Sequence, residues 1–147
     1  MNKKINIPIS PKEIRALQVG DTVLLSGIMI TARDAAHKWI MDTFLHADKA
    51  PSAADQAIYE AIQPILEGGV IYHCGPVVGG LDTKQYRFVA AGPTTSIREE
   101  PYQGDPLRHT NHRGDHGKGG MGEKTLQACG EVPAVYFHAI GGAAALI

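Results

Sequence analysis

Residues 92–98 read GPTTSIR and residues 116–120 read HGKGG, so two glycine-bearing stretches each carry a cation and little other bulk. In the first, hydroxyls and backbone N–H groups follow an apolar run, with a guanidinium one turn later that can grip two oxygens at once. That combination suits a small carboxylate or a phosphate. In GKGGMGEKT the glycines beside Lys118 let the backbone approach a ligand while the ammonium supplies a compact charge, although the spacing of a P-loop is absent. A third cation, Arg33 in TARDAAH, falls where a β-rich run gives way to a helical pattern. Taken singly, each motif also reads as a turn, a helix cap or a solvated cation.

Three histidines suggest a different chemistry. His109, His112 and His116, with Asp105 and Asp115 nearby, could converge on zinc or nickel. The glycine among them argues against one aligning helix, so a solvated loop is expected and no metal site is assigned. His37, His73 and His138 are expected in or near the core, with His37 able to orient Arg33 or Asp34. Cys74 and Cys129 lie far apart without a CxxC and read as small buried hydrophobes. Two thiols are too few for a cubane iron–sulfur cluster, which takes at least about three.

The elements that must position these residues follow from patterning. A strand is expected at INIPIS, a helical turn or two in PKEIRALQVGD, and a strand in TVLLSGIMI with Gly27 at a bulge or a close backbone approach. TARDAAHKWIMDTFLH has helical spacing with Thr31 or Asp34 near its start. Ser52 and Asp55 begin a second helix that ends in a glycine pair, with Pro64 bending or ending it early. VIYHCGP and YRFVAAGP read as strands around the turn GGLDTKQ, EKTLQACGE as a short helix, AVYFHAI as a buried strand, and GGAAALI as a glycine turn beginning a helix. Strands alternating with helices make an α/β domain, and 147 residues with 44% hydrophobic content suffice for one core.

Lysine plus arginine, 14, nearly balances aspartate plus glutamate, 15, so no global field favours nucleic acid or an anionic membrane. Any substrate charge must be met locally. No apolar run approaches the roughly 18 residues of a membrane span, and the first residues lack the apolar core of a signal peptide, so the chain reads as cytoplasmic.

Taken in order, SGIMITARDAAHK, GPTTSIR, GKGGMGEKT and AVYFHAIGGAAALI closely resemble the β subunit of two-subunit, iron–sulfur-dependent class I fumarate hydratases. That subunit is equivalent to the C-terminal domain of the single-chain enzymes, and the related tartrate dehydratase β subunit is similar too. The resemblance covers nearly the whole chain from Ile7 onward. It implies a swivelling β/β/α fold, a single domain over residues 1–147, closing over a cluster-bearing partner. It also implies roles: Arg33 and Arg98 contact substrate carboxylates, Thr94 lies at the reacting carbons and joins in proton transfer, and Lys118 contacts the substrate. The [4Fe–4S] cluster would be ligated by the α subunit of a hetero-oligomer such as α2β2, and not by this chain.

The implied activity is the reversible hydration of fumarate to (S)-malate. Two arginines and a lysine suit a dianion, and an open iron of the partner's cluster would act as Lewis acid on the hydroxyl. Thr94 would need an activating carboxylate, expected from the other subunit. TARDAAH and GGAAAL resemble the fumarase branch more than the tartrate branch. An L-tartrate dehydratase β subunit and a non-catalytic dicarboxylate-binding or interaction module remain as alternatives.

The sequence departs from the family pattern in three places. Glu99 and Glu100 follow Arg98 where methionine is usual. DPLRHTNHRGDHGKGG has almost no apolar residue after Leu107, so the strand expected before Lys118 is weak and its loop poorly anchored. The chain stops at Ile147, where family subunits continue, which reads as a C-terminal truncation.

Overall fold

The structure is a computed structural model that describes residues 2–142. Strand β1, Lys3–Asn6, buries Ile5 and leaves its neighbours in solvent. Ser10 then caps helix α1, Pro11–Arg15: its hydroxyl accepts from the Glu13 N–H at 3.2 Å, and the Glu13 carboxylate accepts from the Ser10 N–H at 2.9 Å. The chain returns as β2, Val23–Ser26, parallel to β1. Gly27 meets the expected close approach, since a Cβ there would lie 2.8 Å from the Ile7 Cβ.

Strand β3, Ile30–Thr31, leads into α2, Asp34–Ile40, which runs on as a π-helical turn over Met41–Leu45. Helix α3, Ala53–Leu66, starts at Ser52, whose hydroxyl accepts from the Asp55 N–H at 3.1 Å. Pro64 lies inside its last turn and does not end it early. Then come β4, Val70–Tyr72, a hairpin of β5, Val77–Gly79, and β6, Arg87–Ala90, and a 3-10 turn at Ser96–Glu99. Helix α4, Glu100–Thr110, β7, Gly114–Gly117, α5, Glu123–Glu131, and β8, Val135–His138, complete the described chain. The helix expected from GGAAALI falls on residues 143–147, outside the described residues.

Strands β3, β4, β7 and β8 lie side by side in that order, all parallel, with β5 and β6 forming a separate antiparallel pair. A parallel sheet must be covered on both faces. One face is covered by the first strand pair and α1, where Ile5, Ile9 and Ile14 meet Val70 and Phe137. The other packs on α2 and α3 through Ala32, Leu66 and Ile71, while Leu107, Ala128 and Ala134 seal α4 onto α5. Each of the larger side chains among them stabilises the fold by roughly 1.5–3 kcal/mol, the alanines by less. The result is the expected α/β fold, with a strand pair, a sheet and helices as its layers. No helix among the described residues is long and apolar enough to cross a membrane.

Two expectations are corrected. The stretch before Lys118 is not a weakly anchored loop: it contains α4 and then the interior strand β7. Polar residues of that strand are anchored in the interior, although Asp115 Oδ2 and His116 Nδ1 are buried without a hydrogen bond. Asp115 receives His112 Nε2 at 3.0 Å, the His116 ring stacks on Tyr72 at 4.6 Å, and Gly114 leaves room for the Phe137 ring. His138, expected in or near the core, is exposed at the end of β8.

Candidate active site

Beyond the carboxyl ends of β4 and β7, residues 94–96 enter as a short extra strand between the two. The Thr94 N–H donates to the His73 carbonyl at 2.7 Å, the Lys118 N–H to the Thr94 carbonyl at 3.3 Å, and the Ser96 N–H to the Lys118 carbonyl at 2.9 Å. Thr95 and Lys118 thus form a parallel bridge. The wedge depends on Gly117, because a Cβ there would collide with Ser96 Oγ and sit 3.0 Å from His73 Nδ1. Lys118 is half-buried, and a Cβ on Gly141 would stand 3.7 Å from its Cδ. In open parallel sheets, ligands bind outside the carboxyl ends of the strands, which is where these residues collect.

Arg33 immediately precedes α2, and its side chain lies along Gly75: a Cβ there would be 2.7 Å from Arg33 Cδ and 3.1 Å from Nη1. Arg98 is exposed in the 3-10 turn. Neither arginine forms an ion pair among the described residues. Their charges act instead on an acid pair, Asp34 and Glu99. Glu99 is wholly buried, and burial, together with the hydrogen bond and charge of Asp34, pushes its carboxyl up to about 8 against the pull of Arg33 and Arg98. The hydrogen bond from Glu99 holds Asp34 below the usual carboxylate range. Counted as an ionised carboxylate, neither Glu99 oxygen finds a hydrogen-bond donor, whereas protonated Glu99 can donate to Asp34.

Behind the arginines runs a buried polar chain. His37 Nδ1 lies 2.9 Å from the Arg33 carbonyl and 3.3 Å from Glu99 Oε2. Gln103 Oε1 sits 2.7 Å from His37 Nε2 and 2.8 Å from His73 Nε2, and Gln103 Nε2 reaches His112 at 3.4 Å. On the far side the Gly120 N–H donates to the Tyr136 hydroxyl at 3.3 Å, and that hydroxyl donates to Ser96 Oγ at 2.9 Å. The Ser96 proton is then free to go to His73 Nδ1, 2.8 Å away, which leaves the His73 proton on Nε2, facing Gln103. Burial lowers the His73 pKa and favours that neutral ring. The chain therefore connects the backbone of Arg33 with the loop after Lys118.

The structure brings Arg33 and Arg98 around one acid pair and joins Thr94 to Lys118 by main chain. It does not gather His109, His112 and His116: the first is exposed on α4, the second wholly buried, the third half-buried against Tyr72. The loop expected to hold them is helix and strand. His37 meets Arg33 at its main-chain carbonyl. Glu99, Gln103, Ser96 and Tyr136 escaped sequence reasoning; only the departure at Glu99 could have signalled one of them.

Comparison with protein families matches the fumarase C-terminus family over residues 1–147. The chain belongs to that family. It is 47% identical over 140 residues to a Geobacillus stearothermophilus protein named "Putative fumarate hydratase class I", an alignment covering 95% of this chain and 24% of that protein. It is 31% identical over 146 residues to the L(+)-tartrate dehydratase subunit beta of Escherichia coli K12, covering 99% of this chain and 65% of the subunit. The chain thus spans about a quarter of the first relative and under two thirds of the second.

This member of the fumarase C-terminus family offers a cluster no ligand set among its described residues. Cys74 and Cys129 are both free, and burial raises both thiols, that of Cys129 to about 12. Among the described residues no three histidines, cysteines or acids are placed to hold a metal ion.

Proposed function

We propose that this chain is the β-type part of a hydro-lyase that reversibly hydrates fumarate to (S)-malate, binding the substrate's carboxylates for a [4Fe–4S] cluster held by a partner α subunit in a hetero-oligomer. One observation carries the reading: two arginines that form no ion pair among the described residues flank an acid pair beside a strand edge that joins Thr94 to Lys118. A fumarate dianion would meet Arg33 and Arg98 at its carboxylates, with Lys118 adding a third charge-assisted contact. Thr94, fixed at that edge by two backbone hydrogen bonds, would stand at the reacting carbons, with its activating base supplied by the partner.

The 47% identity to the fumarate hydratase relative supports fumarate. The alignment with the tartrate dehydratase subunit, over 146 residues, supports L-tartrate as the second reading. Anaerobic reconstitution with a cluster-bearing α subunit tests both. The assembly is expected to convert fumarate and malate, to lose activity in Arg98→Ala and Lys118→Ala, and to show none without the α subunit. Turnover of tartrate but not malate would select the second reading, and full activity in both variants would overturn the site.

A further inference from the structure

Among the described residues two acids lie buried outside the proposed chemistry: Asp115, which pairs with His112, and Glu99. Glu99 follows Arg98 directly, has no solvent exposure, and is enclosed by α2 and α4. The groups facing it are few. From α2 and the residue before it come Arg33, Asp34 and His37; from its own turn, Arg98; from α4, the uncharged Gln103 lies beyond His37. Glu100 is committed elsewhere, accepting from the Thr125 N–H at 2.9 Å and the Thr125 hydroxyl at 2.6 Å. His37 Nδ1 is closer to the Arg33 carbonyl, at 2.9 Å, than to Glu99, at 3.3 Å. An ionised Glu99 would be a buried charge whose one nearby donor, His37 Nδ1, is shared with the closer Arg33 carbonyl, and such a poorly paired charge is costly.

Resting on the dicarboxylate reading above, we propose that Glu99 is a positioning residue that works in its neutral form, keeping the site's charge matched to a dianion. With Glu99 neutral, Arg33 and Arg98 act on the single negative charge of Asp34, and with Lys118 counted two positive charges remain for two carboxylates. Once Glu99 ionises, a second anion stands beside Arg33 and Arg98, competes for them and weakens dicarboxylate binding. The substrate's own carboxylates are ionised well below neutrality, so its charge stays constant over the same range. Burial pushes His73 and His116 down and Cys74, Tyr72 and Cys129 up, in each case away from the range in which Glu99 would titrate.

The test is the pH dependence of KM and kcat for fumarate in the reconstituted assembly, with Glu99→Gln beside the native chain, and a side-chain carbon NMR titration of Glu99 in the chain alone. The native KM is expected to rise about three- to tenfold from pH 7 to pH 9 with kcat little changed. Glu99→Gln, which stays neutral and can still donate to Asp34, should abolish that rise. The NMR midpoint should fall near 8. A midpoint in the ordinary carboxylate range, or an equal KM rise in Glu99→Gln, would overturn the proposal even if the assembly hydrates fumarate. An assembly inert towards fumarate that binds another dicarboxylate with the same Glu99-dependent profile would overturn the substrate and keep the charge match.

Discussion

Ser96 and Lys118 are held together by main chain alone, the Ser96 N–H donating to the Lys118 carbonyl at 2.9 Å. The ammonium takes no part in the ladder that places it. Lys118→Ala should therefore melt within about 2 °C of the native chain, as surface truncations do. It should also lower kcat/KM about 10- to 100-fold, the worth of one charge-assisted contact. Thermal melts and steady-state kinetics on the same preparation check this, and a large loss of stability would assign the side chain a structural role.

Two glycines at the site should respond in opposite ways. Gly117→Ala drives a methyl into Ser96 and the His73 ring, neither of which can retreat, and should cost about 2–4 kcal/mol in urea unfolding. Gly75→Ala meets only the flexible stem of Arg33. It should change stability by less than about 1 kcal/mol and raise KM by displacing the guanidinium. Equal stability losses in both variants would contradict the packing described.

Gln103 Oε1 is the buried junction of two imidazoles, so Gln103→Leu should leave His37 and His73 without one partner each. Stranding buried polar groups costs about 1–3 kcal/mol apiece, and a total loss of about 3 kcal/mol is expected from denaturant midpoints. A neutral or stabilised variant would mean that water replaces the amide.

Stability should also depend on pH through Glu99. The folded chain holds that proton up to about 8, whereas the unfolded chain releases it near 4.5, so stability falls as pH rises between those values. Asp34, shifted downward, works the other way and matters only in more acid solution. Relative to native, Glu99→Gln should gain about 2–4 kcal/mol in going from pH 5 to pH 8, read from urea midpoints across that range. A constant difference between the two proteins would show that Glu99 is ionised in the fold.

The sequence marked Arg33, Thr94, Arg98 and Lys118 through glycine, hydroxyl and cation types, and the helix starts at Ser10 and Ser52 through their capping patterns. Local chemistry determines both. It could not mark β7, because GDHG becomes a strand only through partners distant in sequence: Tyr72 under His116, and Phe137 over Gly114. The acid pair was hidden for the same reason, since Asp34 and Glu99 meet only after α2 packs against the turn that follows Thr95. His138 misled because an alternating strand end looks the same whether or not the sheet covers it.

The parallel bridge between Thr95 and Lys118 closes a long loop, and Arg33, from far earlier in the chain, lies along Gly75 just past the end of β4. No fragment shorter than the sheet itself can display all three segments. A dicarboxylate held between them would bind only the folded chain, so occupancy would shift the unfolding equilibrium by mass action and appear as a ligand-dependent melting temperature before any turnover is measured.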